Sequence, residues 1–474
     1  MLFKHSGQYV LAKGIPAVIN LTTIAIYTRY LDPAEYGQYA VIMASVLLAT
    51  SFFFQWLRMS LLRFLPEYVN NKSELLSNIF FGYAVIVGFT GIIAIASAFI
   101  QQDLSTAKTL MLGTLLFWLN GWFEINLELL RSELKPAVYG YISLTKAIAG
   151  LIISGGLAYK GLGADGVILG LIISIVVIMP WLIKGGWLSA SVSLINVELI
   201  RKVLYYGLPL TITFAASSLT NSLDRYQLSI MDGLDTVGLY SVASDFGRQS
   251  ILVLMMTINL AAFPLALRAL ESKGVDAARQ QMSQNWTLLL TTSIPICLLM
   301  MLFSSEISSL IFGSSFTDSS TALIPWITLG TLFLGLRMYY FDQSFYISKS
   351  PGYQLVIVVA TIVAKFIFNL ILIPTYGALG AAYSGVAAFG MSLVFCTFLS
   401  QRAFRLDLNI GASIKILMAS GLMVFIAINL KSLISDQLFM LNAIFVLGLY
   451  FMFVYMSNIG GYKDLINKIV LKLK

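Results

Sequence analysis

Thr28-Arg-Tyr-Leu-Asp-Pro-Ala-Glu-Tyr-Gly-Gln-Tyr-Ala-Val41 has a counterpart later in this chain, Gln227-Leu-Ser-Ile-Met-Asp-Gly-Leu-Asp-Thr-Val-Gly-Leu-Tyr-Ser-Val242. Each stretch crosses from one long apolar run to the next. A second pair matches as well: Lys135-Pro136, Lys146 and Gly163-Ala164 recur as Ser350-Pro351, Lys365 and Gly380-Ala381. Both pairs lie roughly 200–220 residues apart, a spacing that marks duplicated units. They connect runs on the same side of a membrane, so the halves are expected to be repeats of like orientation, related by an axis along the membrane normal.

Composition supplies the membrane. The chain has 474 residues, 58% of them apolar and 11% charged, with a mean hydropathy of +0.85. A soluble domain carries about 25% charged residues, so a soluble fold is excluded. Each transmembrane helix needs about 20 mostly apolar residues, and hydropathy divides the chain into fourteen such runs, from residues 9–29 to 439–457. They are too long, and alternate too little, for barrel strands. The expected fold is all-α: residues 1–192 as an amino-terminal six-helix lobe, 193–205 as a polar interfacial linker, 206–400 as a second six-helix lobe, and 401–474 as two added helices. The last segment ends in a basic amphipathic tail over 462–474.

Lysine and arginine collect in alternate loops, for example Arg63 and Lys72, Arg131 and Lys135, Arg201 and Lys202, and Arg402 and Arg405. The opposite set holds only Arg29, Lys108, Lys160 and Lys431. By the positive-inside rule both termini are expected in the cytoplasm. The net charge of +8 is therefore a topology signal, and its spread over many loops gives no nucleic-acid-binding face. One histidine, His5, and two distant cysteines, Cys297 and Cys396, supply no metal site, cofactor ligands or disulfide framework. Gly161-Leu-Gly-Ala-Asp-Gly166 has the spacing of a dinucleotide fingerprint, but no strand precedes it, and it reads as a turn.

Basic residues inside the spans carry the functional argument: Lys13, Lys146, Arg225, Arg248, Arg337 and Lys365, with Arg58 at the end of span two. Each would cost about 2.5–3.5 kcal/mol at a lipid-facing helix centre, so they are expected to face protein, water or a ligand. Helical spacing places Lys13, Asn20, Thr23 and Tyr27 in one stripe. Ser217, Asn221 and Asp224 share another, as do Ser241, Asp245, Arg248 and Asn259. These stripes begin the two repeats, and a hydrated cationic cleft between the halves is the expectation. Asp245 and Arg248 are also spaced for an intrahelical ion pair, and Glu124 and Glu128 read as interfacial partners of Arg131.

The repeat-boundary segments, with Ser222-Leu-Asp-Arg-Tyr226 and Gly377-Ala-Leu-Gly-Ala-Ala382, resemble the polysaccharide transporter family, which includes the O-antigen flippases of the multidrug/oligosaccharidyl-lipid/polysaccharide exporter superfamily. The resemblance implies a plasma-membrane flippase, not an enzyme. Its substrate would be an undecaprenyl-pyrophosphate-linked oligosaccharide, carried to the outer leaflet by alternating access for cell-surface polysaccharide and lipopolysaccharide synthesis. Family members have functional Arg and Lys residues in a cationic cavity, which Lys13 and Arg248 match best in type and location. Asn20, Arg58, Lys146, Arg225, Arg337 and Lys365 complete the candidate substrate contacts. Asp224, Asp245 and Asp342 are the candidates for a coupled proton or sodium ion, and a polysaccharide polymerase is a candidate partner. Two alternatives are a cation-coupled multidrug exporter of the same superfamily and a membrane glycosyltransferase or polymerase. The first calls for a dominantly acidic pocket, the second for a large external loop bearing acid or base groups.

Overall fold

The computed structural model describes residues 18–101, 103–183, 186–350, 352–432 and 438–459, and among them the fold is helical without a strand. The helices are α1 (18–30), α2 (Pro33–Phe53), α3 (Gln55–Phe64), α4 (Lys72–Ile100), α5 (Leu104–Ser132), α6 (Pro136–Tyr159), α7 (Gly163–Ile183), α8 (Val197–Met231) and α9 (Gly233–Lys273). They continue as α10 (Val275–Leu302), α11 (Ser304–Ile311), α12 (Ser314–Leu336), α13 (Gln343–Ile347), α14 (Gly352–Ala403), α15 (Ile410–Lys431) and α16 (Phe439–Met456), with a π turn at Arg337–Phe341 between α12 and α13. Lys13 and the expected tail at 462–474 lie outside the described residues.

Eleven helices among the described residues are long and apolar enough to cross a bilayer. The expected fourteen runs differ from these at three places: α1, α5 and α14. Although 29 residues long, α5 carries Lys108, Glu124, Glu128 and Arg131 and is not among the eleven. With 52 residues, α14 would extend about 78 Å at 1.5 Å per residue, far more than a hydrocarbon core of about 30 Å. It turns at Gly377 (φ 54, ψ −128), a left-handed conformation that a side chain would disfavour. A Cβ on Gly380 would collide with the backbone carbonyl of Leu372, so the chain folds back there on itself.

Large apolar side chains stay exposed along the helices, including Phe89, Ile92 and Phe99 on α4, Val394 and Phe398 on α14, and Ile444 on α16. A helix apolar on its outer as well as its inner side belongs in lipid. Other apolar residues fill the interior: Phe54, Leu57, Phe117, Trp122 and Ile175 form part of one core. Helix starts follow local capping chemistry. Asp32 accepts from the Glu35 amide while Glu35 reaches back to the Asp32 amide, with Pro33 in the first turn of α2. Asp103 caps α5. Asn196 caps α8, so residues 197–205 of the expected linker form the first turns of that helix. Gly161 takes a positive φ of 75° in the turn between α6 and α7, the place of the dinucleotide-like motif.

The fold divides into two compact units, with the boundary between Ser241 and Val242, inside α9. Within the first unit the two copies of the repeated segment meet. A Cβ on Gly37 would strike the carbonyl of Leu234, and one on Gly238 would strike the carbonyl of Pro33; each would also lie 3.0 Å from the other glycine's backbone nitrogen. The contact is reciprocal, as a twofold relation between repeated segments requires, and only two glycines permit it. Gly37→Ala or Gly238→Ala is predicted to destabilise the chain by about 1–3 kcal/mol through overpacking. Thermal unfolding in detergent is the measurement, with Gly88→Ala, which meets nothing within 4 Å, as the control that leaves the midpoint unchanged.

Candidate functional site

In the first unit the kink between α2 and α3 places the Phe54 ring where a Cβ on Gly121 of α5 would stand. That close approach brings the next turns of α3 and α5 together. Arg58 then pairs with Glu124 at 2.9 Å and Glu128 at 3.7 Å, and donates to Gln55 Oε1 at 2.9 Å. Glu128 is buried and also pairs with Arg131 at 3.3 Å. From α6, half-buried Lys146 donates to Asn120 Oδ1 at 3.3 Å and sits 4.1 Å from the Phe123 ring centroid. Glu124 acts electrostatically on this ammonium. Glu128 thus has the expected Arg131 as partner and Arg58 as another, whereas Glu124 pairs with Arg58.

The remaining predicted residues of this unit stand elsewhere. Asn20 is exposed on α1. Asp224 on α8 is fully buried, and its Oδ2 accepts from the Tyr240 hydroxyl at 2.5 Å. The neighbouring Arg225 is half-buried. Beyond the end of α5, Glu133 is held by Lys135 at 2.8 Å and by Lys72. Burial opposes its ionisation, but Lys135 and Lys72 hold the carboxyl below the usual carboxylate range. The stability this contributes is present above the unfolded-state pKa and is lost as pH falls through the lowered one.

The second unit holds two groups. Lys365 on α14 is fully buried, with its ammonium 4.9 Å from the Phe389 ring centroid; the Arg248 guanidinium of α9 lies 5.9 Å from the same ring. Cations at an aromatic ring gain about 2 kcal/mol when desolvated. Asp245, one turn before Arg248, is half-buried.

The other group depends on the π turn. The Asp342 amide bonds to the Arg337 carbonyl at 2.8 Å, an i to i+5 closure. Residues five apart on an α-helix point about 140° away from each other; here Arg337 Nε lies 3.7 Å from Asp342 Oδ2, with both side chains buried. Arg337 also donates to Thr361 at 3.3 Å and Ser392 at 3.0 Å, and the Cys396 thiol donates to Asp342 at 3.3 Å. Asp342 lines a cavity of about 320 Å³, within the range of small-molecule sites. Asn259, Gln343 and Gln354 supply the other polar lining, and Phe263, Met338, Tyr339 and Tyr346 the apolar surface. The cavity and the Arg337–Asp342 pair escape sequence reading, because a π turn has no clear signature in residue spacing.

The fold matches that of solved flippase and multidrug-transporter structures. The structure is similar to that of lipid II flippase MurJ in an inward closed conformation, with a TM-score of 0.78 and 16% identity over 96% of this chain and 98% of that one. It is also similar to an inward-facing multidrug transporter of the MATE family, with a TM-score of 0.59 and 14% identity over 83% of this chain and 98% of that one. A profile described as polysaccharide biosynthesis protein matches residues 2–270, more than half the sequence. The chain belongs to that polysaccharide biosynthesis protein family.

Among curated relatives it is 24% identical to the probable low-salt glycan biosynthesis flippase Agl15 of Haloferax volcanii, over 57% of this chain and 56% of that protein. An uncharacterised membrane protein of Methanocaldococcus jannaschii is 23% identical over 58% of this chain and 54% of its own length. The chain thus spans little more than half of these two relatives. A putative O-antigen transporter of Shigella flexneri is 22% identical over 81% of this chain and 94% of that protein. The relatives and neighbours named for an activity are transporters and flippases, not enzymes.

Removing one member of a buried ion pair leaves an uncompensated charge and costs about 3–5 kcal/mol, whereas replacing both by apolar groups is often neutral. Arg337→Met is therefore predicted to lower stability by that amount and Arg337→Met/Asp342→Leu to recover most of it, as read by thermal unfolding in detergent.

Proposed function

We propose that this chain is a plasma-membrane flippase that moves a prenyl-pyrophosphate-linked oligosaccharide from the cytoplasmic to the outer leaflet by alternating access, with both termini in the cytoplasm. The observation that carries the reading is the concentration of positive side chains within membrane-spanning helices, above all Lys365 and Arg248 at one Phe389 ring. An oligosaccharide presents many hydroxyls, each costing several kcal/mol in hydrocarbon without a partner. A polar path through protein removes that barrier while the prenyl chain stays in lipid. Arginine suits a pyrophosphate as a bidentate fork and lysine as a point charge. The likeness to a lipid II flippase and to a glycan biosynthesis flippase supports this substrate class, and a polysaccharide polymerase would consume the product.

An inside-negative potential favours outward movement of the anionic headgroup by about 2.3 kcal/mol per charge per 100 mV. Antiport of a proton or sodium ion at Asp224, Asp245 or Asp342 is the other source of drive. Likeness to multidrug transporters favours cation export as the second reading, and the Lys365 and Arg248 cations at the Phe389 ring favour an anionic substrate over it.

In proteoliposomes given a lipid-linked oligosaccharide, Arg248→Ala and Lys365→Met are predicted to slow transbilayer movement at least tenfold, with Arg248→Lys intermediate. Unchanged rates in both, with folding confirmed by thermal unfolding, overturn the proposed site. An imposed inside-negative potential without an ion gradient is predicted to sustain net outward movement if charge is the drive; failure to do so points to antiport.

A further inference from the structure

We infer that the cavity beneath the π turn is a subsite for a sugar ring of the transported headgroup, a proposal that rests on the flippase reading and names what this pocket contributes to it. Its lining combines side-chain amides, from Asn259 and Gln354, with the Asp342 carboxylate and with the aromatic rings of Phe263, Tyr339 and Tyr346. An amide offers a donor and an acceptor on adjacent atoms, and a carboxylate accepts from two directions. Together they match sugar hydroxyls, which donate and accept at once. A pyranose also has an apolar C–H face, and Phe263 and Tyr346, whose ring centroids lie 6.4 Å apart with the planes inclined at 64°, offer aromatic faces on which it packs.

Among the described residues the Asn259 and Gln354 amides and the Tyr339 and Tyr346 hydroxyls make no hydrogen bond to protein, and all four side chains line the cavity. Polar groups without protein partners at the wall of a ligand-sized void are what a hydroxylated ligand would use, and such groups reject an analogue that lacks the matching hydroxyl. The lining argues against a phosphate. Its ionisable acid is Asp342, which would repel one, while Arg337 is buried and engaged by Thr361, Ser392 and Asp342. Within this division of labour the basic side chains hold the pyrophosphate, and the cavity reads the sugar.

The test uses the full chain in proteoliposomes and two probes: a prenyl pyrophosphate carrying a disaccharide, and the same prenyl pyrophosphate carrying none. Asn259→Ala, Gln354→Ala and Tyr339→Phe each delete one partner of a predicted hydrogen bond, worth roughly a three- to tenfold loss. The expected result is that loss for the glycosylated lipid, larger in Asn259→Ala/Gln354→Ala, with the rate for the sugar-free lipid and the thermal midpoint unchanged. Equal losses on both probes, or no loss on either, overturn the subsite while leaving the flippase reading intact. A change confined to the sodium dependence of transport also overturns it and assigns the cavity to a cation. A wild-type chain that moves neither lipid sinks both proposals.

Discussion

Neutralising charge where water is scarce is the constraint on which the rest of this structure depends. A basic side chain in the interior of a membrane protein is costly unless a partner stands beside it, and the chain provides partners of three kinds. Arg58 is met by carboxylates from a neighbouring helix, Arg337 by an acid five residues along its own segment and by two hydroxyls, and Lys365 and Arg248 by the face of an aromatic ring. These solutions differ in what they leave available. An arginine held by carboxylates already has an anion at its guanidinium, whereas the face of a ring offers a cation no formal countercharge. Local pairing also means that burial by itself does not call for one shared wet chamber.

A second constraint is closeness. Where the copies of the repeated segment meet, two backbones pass with no space for even one carbon, and the same economy at Gly121 admits Phe54 and so brings α3 to α5. Small residues thus act upstream of the charges: the Arg58–Glu124 contact is a consequence of the packing at Gly121. In lipid, where helices gain little from hiding apolar surface from one another, such close packing is a main source of association.

Most of the architecture was legible because a bilayer enforces simple rules. Length and apolarity marked the helical runs, and the two similar Gly-containing segments marked the glycines that meet at Gly37 and Gly238, because both features are local in sequence. The site was legible in composition and not in connectivity. Lys365 and Arg337 stood out as charges at bilayer depth, but nothing local paired Arg58 with an acid 66 positions away. Heptad or 3.6-residue reasoning likewise separates Arg337 from Asp342, which an extra residue in the turn brings together. The polar stretch 193–205 was legible as an interfacial segment but not as helix; Asn196 caps it, and residues 197–205 form the first turns of α8. Asn259 was legible only as one member of a polar stripe and Gln354 not at all, since amides on separate helices form a pocket only after folding.

The reversal at Gly377 has a bearing on how the protein is made. The helical segments 352–376 and 378–403 are joined by a single residue in a left-handed conformation, with no loop between them. The two form a hairpin whose single-residue corner suits entry into the bilayer as one unit and offers no slack for a tag, a protease or an insertion.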